Sequence, residues 1–244
     1  NYYVMINKEL ERLNADIIKI INKNYDVVIL VGARGTTKTY SVKKHILNES
    51  LNGFAFTWYF RTFEDIKSKA AQFLDSLPDE YKEIYASDTK GIYFISSKKD
   101  VKKYAGLFIP LSKYNRFKSG ELKNNKYNIL DEFIPEDGIY AKNELYALNN
   151  LIESMGRWTE NQKLILMANS VKSENLYFNA LKIDTDDIVN NIYKRKEEGK
   201  ASIYLKIIEA NSAFIEEKQD TLAHKLGESF NLGYNDYALN NTWL

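Results

Sequence analysis

The sequence predicts an α/β fold in which helices flank a mostly parallel sheet, and three observations indicate this class. The apolar run "DVVILVG" is typical of a buried strand. The apolar spacing after it favours a helix from Lys38 to about Glu49, and "FAFTWYF", Phe54 to Phe60, indicates a second buried strand. Strand, helix and strand in this order form a β-α-β unit, whose crossover is right-handed.

Two more helices are predicted in the N-terminal part. Apolar residues recur at helical spacing between Asn7 and Asn22, so we expect an amphipathic helix ahead of the first strand. Thr62 and Asp65 have the pattern of a capping box. We expect a helix to begin there and to run to about Leu77, because Pro78 stops further helix.

The rest of the chain continues the alternation of strands and helices. "EIYASDTKGIYFIS" predicts a hairpin, and "YAGLFIPL", "KYNILDEF" and "KLILMANS" predict three more strands. A helix is expected to end at Gly156 as a C-terminal cap. Apolar residues then become sparse and glycines frequent, so we expect residues 1–210 to form the main domain and 211–244 a small C-terminal connector subdomain.

Composition argues against several classes of protein. The 244 residues, 44% of them hydrophobic, suffice for one large core. The chain has no cysteine and only two histidines, far apart, which argues against disulfides, zinc sites and a Ser-His-Asp triad. Without a bilayer-length apolar run or a signal segment, we expect a soluble, intracellular protein with no membrane partner. The net charge of +1 means that nucleic-acid contact would depend on local basic patches.

The segment "VGARGTTKTY" has the pattern of a phosphate-binding loop, or Walker A motif, that lacks one glycine. In such a loop, backbone N–H groups and a helix N-terminus surround the phosphates, while a lysine and the hydroxyl after it contact phosphate and Mg²⁺. Thr37 stands where the second glycine is expected, so we expect weaker nucleotide binding, and a plain strand-to-helix turn is the alternative. The candidate nucleotide-binding residues are Gly32, Ala33, Arg34, Gly35, Thr36, Thr37, Lys38, Thr39 and Tyr40.

Polar residues also end two other predicted strands. Asp131 and Glu132 offer one carboxylate to the shell of a Mg²⁺ ion and a second to orient and deprotonate an attacking water. This acid pair favours hydrolysis over transfer to a small acceptor. Asn169 is a candidate to contact the γ-phosphate or the water, and an ordinary loop asparagine is the alternative.

Several motifs in this order resemble one family. They are "VGARGTTKTY", "ILDEF", "LNNLIESMGRW", "LILMANS" and the tail "FIEEKQDTLAHKLGESFNLGYNDYALNN". They resemble the DNA-packaging ATPases of small podophages of the phi-29 group, which are relatives of the terminase motors in the additional-strand (ASCE) class of P-loop NTPases. The resemblance covers nearly the whole chain.

The family resemblance implies an activity and partners. It implies ATP hydrolysis with Mg²⁺ and a homo-oligomeric ring, a pentamer in this family, that translocates double-stranded DNA through the capsid portal. Such a motor works in the host cytoplasm, transiently at the portal vertex of a procapsid. Relatives also carry a nuclease-like C-terminal domain, which we do not find in this sequence, so we expect the chain to be a piece of a longer protein.

The same resemblance implies roles for individual residues. It makes Lys38 and Thr39 the phosphate and Mg²⁺ residues, Asp131 the Walker B acid and metal ligand, Glu132 the catalytic glutamate and Asn169 the sensor.

Three basic residues complete this set. Arg157 falls where the family places an arginine that reaches into the neighbouring subunit's site, and a solvated cation is its alternative. Lys118 is a second candidate to act across the interface. Arg34, within the loop, would contact the γ-phosphate of its own subunit, and a solvent-facing loop residue is its alternative.

Other interpretations and departures stay open. Thr37 and the polar Asn128 in the Walker B strand depart from the family pattern and put affinity and rate in question. A helicase-like or AAA-type ATPase without a capsid role, or a ring scaffold that binds no nucleotide, are the alternative functions. A basic cluster is a candidate for DNA phosphate contacts, with a solvated hairpin tip as the alternative. It comprises Lys98, Lys99, Lys102 and Lys103.

Overall fold

The computed structural model describes residues 2–33, 35–96, 102–117, 120–169, 174–209 and 222–229. The chain divides into two compact units. Unit 1 comprises Asn1–Ser41, Glu132–Ile134 and Leu166–Leu244, and unit 2 comprises Val42–Asp131 and Pro135–Ile165.

Helices and strands alternate along most of the described chain. The helices are α1 (Tyr2–Ile21), α2 (Lys38–Leu51), α3 (Phe63–Lys69), α4 (Asp79–Ile84), α5 (Glu144–Met155), α6 (Leu176–Leu181) and α7 (Leu222–Ser229). The strands are β1 (Val27–Gly32), β2 (Ala55–Phe60), β3 (Tyr85–Asp88), β4 (Gly91–Phe94), β5 (Tyr104–Pro110), β6 (Asn125–Asp131), β7 (Lys163–Ala168), β8 (Ile192–Arg195) and β9 (Ile203–Ile208). Short 3₁₀ helices cover Leu111–Arg116 and Thr185–Asp187.

Hydrogen bonding orders the strands as β3-β4-β5-β2-β6-β7-β1-β9-β8. β1 pairs in parallel with β9, and β2 pairs in parallel with both β5 and β6. The pairs β3/β4, β4/β5 and β8/β9 are antiparallel. The sheet is thus mixed and mostly parallel, with helices flanking it, which confirms the predicted fold class.

In unit 1, the core forms around β1. Every residue of β1 is buried, and Ile17 and Ile21 of α1 are buried as well. This agrees with the apolar spacing that predicts the N-terminal helix. Among the described residues, no helix combines the length and apolar character needed to cross a membrane.

In unit 2, the core forms around β2, which is also buried along its whole length. Trp58 lies edge-on to Phe73, with ring centroids 5.0 Å apart, and Phe73 in turn packs against Phe108 of β5. The predicted capping box is present, because the Thr62 hydroxyl accepts from the Asp65 N–H and the Asp65 carboxylate accepts from the Thr62 N–H. α3 therefore begins where the sequence predicts.

Several features differ from expectation, among them two short helices that the sequence does not predict, α6 and α4, which begins directly after Pro78. α3 ends at Lys69, well before Leu77, because the following residues form turns with bonds to the third residue back, such as Phe73 N to Ala70 O at 3.3 Å. β8 and β9 are not among the predicted elements. Of the predicted connector subdomain, 211–244, the structure describes only α7, so that division of the chain stays a prediction.

A buried ion pair fixes the N-terminus of α5 in unit 2. Arg61, just after β2, makes two bonds of 3.0 Å to the carboxylate of Glu144, the first residue of α5. The Glu144 side chain is fully buried and also accepts from Ala141 N at 2.7 Å. The carboxylate thus joins β2, the preceding loop and α5.

We expect Glu144→Ala to lower the free energy of unfolding by about 3–5 kcal/mol, because it removes both bonds from the partly buried Arg61 to this carboxylate and the bond from Ala141 N. Urea denaturation followed by circular dichroism measures the change. Glu64→Ala is the matched control, since it breaks the exposed pair with Lys67 and should cost less than about 1 kcal/mol. Equal losses in the two variants would contradict the assignment of a stabilising role to the buried pair.

Candidate nucleotide-binding site

The loop between β1 and α2 lies in unit 1 and depends on a close backbone approach. Gly32 ends β1 opposite Ile208 of β9. A Cβ atom added to Gly32 would lie 2.5 Å from the carbonyl oxygen of Ile208 and 3.2 Å from Thr36 Oγ1. Glycine is therefore the residue that lets the loop leave the sheet beside β9.

The Lys38 side chain fills the inside of this loop. It is only 4% exposed. Its Nζ donates to the carbonyl oxygens of Gly32 at 2.7 Å and Ala33 at 2.9 Å, and to Thr36 Oγ1 at 3.0 Å. These acceptors match the three N–H donors of an ammonium group. They are uncharged, so these three bonds fix the position of the cation and do not neutralise its charge.

Among the described residues of the loop, Gly35, with φ 86°, and Thr37, with φ 59°, have a left-handed backbone. For a threonine this conformation costs about 1–2 kcal/mol, which is the cost expected where the pattern calls for glycine. Thr37 therefore adopts the backbone conformation for which the loop pattern calls for glycine.

α2 begins directly after this strained residue. The Thr37 carbonyl accepts a 2.8 Å bond from Ser41 N, which belongs to the first turn of the helix. Thr39 and Tyr40 are half-buried on that turn. The N-terminus of a helix presents N–H groups and a partial positive charge, which favour an anion. The loop thus places a buried ammonium beside a helix N-terminus.

Glu132 lies in unit 1 directly after β6 and also has a left-handed backbone, with φ 58°. The next residue, Phe133, anchors this turn. Its N–H donates to the Met167 carbonyl at 2.9 Å, and its fully buried ring packs edge-on to Tyr177 of α6 at 5.4 Å. Strained residues of this kind persist where surrounding contacts hold them, and they cluster at functional sites.

Asn169 directly follows β7 and is half-buried. The bond from Phe133 N to Met167 O brings the turn that carries Glu132 beside the end of β7. The structure therefore places the loop, Glu132 and Asn169 in the same unit. Their individual roles stay predictions.

Asp131 is the last residue of β6 and belongs to unit 2. The same unit holds Lys43 of α2, whose Nζ donates to the Phe73 carbonyl at 2.7 Å. Burial lowers the pKa of Lys43, while the charges of Asp131 and Asp75 oppose that shift. Lys43 is not among the residues predicted for the site, although its position four residues after Thr39 puts it one helical turn along the same face.

Arg157 is exposed in the turn that follows α5 in unit 2. Thr159 N donates to the Gly156 carbonyl at 2.8 Å and closes this turn. Trp158, beside the arginine, is 81% exposed. Within the described ranges the Arg157 guanidinium forms no ion pair. Its charge is thus presented to the outside of unit 2.

Some predicted residues lie outside the described residues. They are Arg34, Lys98, Lys99 and Lys118. Of the basic cluster, Lys102 is 2.7 Å from the Asp88 carboxylate and 4.1 Å from the Tyr93 ring centroid, and Lys103 lies 5.4 Å from that of Phe94. These contacts hold both lysines against the β3/β4 hairpin, and their contact with DNA stays a prediction.

The donor types expected for Mg²⁺ fit this chain. In the part of the chain that the structure describes, no group of three or more His, Cys, Asp or Glu side chains could hold a metal ion. A Mg²⁺ ion at a phosphate site needs only one or two carboxylates, with substrate phosphates and waters supplying the other ligands. The Thr39 hydroxyl and the Asp131 carboxylate are donors of this kind, and their assignment stays a prediction.

Comparisons with known proteins give relatives for this chain. DNA packaging proteins of Bacillus phages B103 and phi29 are each 30% identical over 159 residues, which is 64% of this chain. These residues make up 48% and 46% of the two relatives, so the chain spans about half the length of the curated relatives it matches.

Solved structures share the fold. The N-terminal domain of the DNA packaging ATPase from bacteriophage phi29 has a TM-score of 0.68 at 24% identity, covering 80% of this chain and 95% of that domain. The Phi-28 gp11 DNA packaging motor has a TM-score of 0.69 at 19% identity, covering 92% of this chain and 67% of that one. The large terminase of a thermophilic bacteriophage has a TM-score of 0.57 at 10% identity, covering 95% of this chain and 53% of the terminase.

A family model assigns the chain as a whole. The model described as podovirus DNA encapsidation protein (Gp16) matches residues 12–244, which is nearly the full length of the sequence. The chain belongs to the podovirus DNA encapsidation protein (Gp16) family.

Proposed function

We propose that this chain is the ATP-hydrolysing motor subunit that translocates double-stranded DNA into a procapsid. The observation that carries the proposal is the buried Lys38 ammonium beside the N-terminus of α2, in a chain of the encapsidation family. The names of its relatives support the substrate, because they are DNA packaging proteins and packaging motors. The motor would act as a homo-oligomeric ring, a pentamer, at the capsid portal in the host cytoplasm.

Lys38 would bind the outer phosphates of ATP. To do so, its ammonium must exchange at least one loop oxygen, such as the Ala33 carbonyl or Thr36 Oγ1, for a phosphate oxygen. The exchange replaces an uncharged acceptor by an anionic one, and charge-assisted bonds are the stronger kind. The remaining contacts would come from backbone N–H groups of residues 32–40, with the Arg34 guanidinium on the γ-phosphate.

Thr39 and Asp131 are the residues proposed to hold Mg²⁺. When bound, Mg²⁺ neutralises charge on the phosphates. The hydroxyl would reach the metal from the first turn of α2, and the carboxylate would do so from the end of β6. This assignment rests on the Walker A and Walker B patterns of the sequence.

Glu132 is the proposed general base. Its carboxylate would accept a proton from the water whose oxygen forms a bond to the γ-phosphorus, while the bond to the leaving ADP breaks. The fixed turn at Phe133 favours this role, since a base must be held in one orientation to act. Asn169, beside this turn at the end of β7, is the proposed sensor of the γ-phosphate.

Arg157 would complete the active site of the neighbouring subunit. An arginine supplied in this way stabilises charge in the transition state and is worth roughly 10³ to 10⁵ in rate. The exposure of Arg157, and the lack of an ion pair to it within the described ranges, support a role towards another molecule. Lys118 would be a second contact across the same interface.

Two features of the loop favour a different function. Lys38 is satisfied by oxygens of its own loop, and Thr37 holds a strained conformation at a glycine position. Both features are also those expected of a loop that has ceased to bind nucleotide. The alternative is therefore a ring scaffold without ATPase activity.

The first expected outcome concerns turnover per subunit. ATP hydrolysis with Mg²⁺ should rise steeply with protein concentration, and further with duplex DNA, because a neighbouring subunit completes each site. Steady-state phosphate release measures this, with single-stranded DNA of equal length as the control. A rate independent of concentration, or stimulation by single strands alone, would contradict a packaging motor and favour a helicase-like or AAA-type ATPase.

A second outcome separates the two halves of the shared site. Glu132→Gln should bind ATP normally and lose turnover by about 100-fold or more, and Arg157→Ala should lose turnover to a similar extent. A mixture of the two proteins should regain part of the activity, because each supplies what the other lacks. Glu153→Gln, an exposed carboxylate in α5, is the control for loss of charge. The absence of rescue at every mixing ratio would mean that Arg157 is a solvated cation.

A third outcome tests the strained loop. Thr37→Gly should tighten ATP binding about three- to tenfold, because glycine removes a side chain that would crowd the phosphates. The strain of a φ of 59° is present before ATP binds, so its relief raises the free energy of unfolding and not the affinity. Thr37→Ala is the matched variant, since it removes most of the side chain and keeps the strain. Calorimetry measures both affinities. No binding by any of the three proteins at millimolar ATP would support the scaffold.

A further inference from the structure

Asn128 is a polar residue in the middle of the buried strand β6, and it is fully buried. Burying an amide is unfavourable unless its hydrogen bonds are made. Here Oδ1 accepts from the Tyr59 hydroxyl at 3.0 Å and from Asn125 Nδ2 at 3.1 Å, and Nδ2 donates to Gln162 Oε1 at 3.1 Å. Burial raises the pKa of Tyr59, which keeps its hydroxyl protonated as a donor. The amide is therefore held from both ends.

Gln162 continues these contacts to the turn that carries Arg157. Its Nε2 donates to the Gly156 carbonyl at 3.1 Å, the same oxygen that accepts from Thr159 N. A Cβ atom on Gly156 would lie 2.1 Å from Gln162 Oε1. The Gln162 amide thus packs directly on Gly156, whose φ of −110° by itself needs no glycine.

The two ends of this chain of bonds have opposite exposure. Asn128 lies three residues before Asp131 on the strand that leads to Glu132, whereas Arg157 is exposed beyond Gly156. Leucine at position 128 would fill a similar volume without needing partners. The hydrogen bonds of Asn128 instead fix one geometry between β6 and the turn that carries Arg157, because hydrogen bonds are directional and apolar contacts are not.

We propose that Asn128 and Gln162 form a positioning relay that holds the turn of Arg157 in the orientation needed to reach a neighbouring subunit. The relay is defined by the bonds from Asn128 to Gln162 and from Gln162 to Gly156. It rests on the proposed role of Arg157 and assigns no chemistry to Asn128 or Gln162, which act only through the turn. A displacement of about 1 Å is enough to cost about 100-fold in rate.

Gln162→Ala breaks the relay and leaves Arg157 and every proposed nucleotide contact in place. The test uses the mixture of Arg157→Ala and Glu132→Gln proteins, in which only the Glu132→Gln protein supplies the arginine. Combined with Glu132→Gln in one chain, Gln162→Ala should reduce the rescued turnover of the mixture by about tenfold or more. Combined with Arg157→Ala instead, it should change the rescued turnover by less than about twofold. Asn128→Leu should give the same asymmetry, and Gln72→Ala, an exposed glutamine, should give no effect in either protein.

Equal losses in the two placements, or no loss in either, would overturn the relay, because a general loss of stability acts in both proteins alike. Amide hydrogen exchange of the free chain gives a readout that needs no turnover. Gln162→Ala should speed exchange of the Thr159 amide about fivefold and leave the Gly156 amide, bound to Ile152 O in the last turn of α5, unchanged.

Unchanged exchange at Thr159 would overturn the relay whether or not the chain hydrolyses ATP. A third outcome is possible, in which Gln162→Ala speeds exchange of the Thr159 amide but the mixture of Arg157→Ala and Glu132→Gln proteins shows no rescue. It would support the statement that Gln162 holds the turn, and it would contradict the proposed role of Arg157.

Discussion

The burial of one ammonium group, that of Lys38, is the constraint on which the candidate site depends. A cation inside a protein must be surrounded by oxygens. Here the carbonyls of Gly32 and Ala33 and the hydroxyl of Thr36 accept from it, so the loop is wound around the side chain. Winding the loop this tightly needs a glycine against Ile208 of β9 and a left-handed residue ahead of α2. The geometry of the loop thus follows from the charge that it holds.

Thr37 and Glu132 are two of the residues of unit 1 that carry a side chain in the left-handed region, and both belong to the candidate site. Each is followed by an element that holds it in place. Thr37 is followed by the first bonded turn of α2, and Glu132 by the buried ring of Phe133. Such support is necessary, because a strained turn on the surface would relax without it. The backbone conformation is therefore secured by packing that the candidate catalytic groups do not themselves provide.

The sequence predicts those parts of the molecule whose causes are local. β1, the loop and α2 follow each other within a few residues, and the capping box of Thr62 and Asp65 needs only a spacing of three. α3 ends earlier than predicted, because the apolar spacing of Phe73 and Leu77 that resembles a helix is also satisfied by buried turns. β9 pairs in parallel with β1, which lies far away in the sequence, so its place in the sheet has no local cause.

The site shows the same division. Lys38 and Glu132 are recognisable from their motifs, whereas Asn128 is noticed in the sequence only as a departure, because its partner Gln162 is 34 residues away. Gly156 ends α5 as predicted, whereas the Gln162 amide that packs on it is not visible in the local pattern.

Lys38 and Arg157 differ in burial, and this difference matches the partner proposed for each. Lys38 is enclosed by its own loop, so an anion that reaches it must enter the loop of the same chain. Arg157 stands exposed on a turn, where a lone flexible arginine would lose much of its conformational entropy on binding a neighbour. The bonds from Gln162 and Thr159 to the Gly156 carbonyl order the backbone of this turn in the free chain. Less backbone entropy is therefore lost when a neighbouring subunit binds. A group that acts on another subunit needs its support on the side away from that subunit, and the buried face of this turn is where the polar contacts lie.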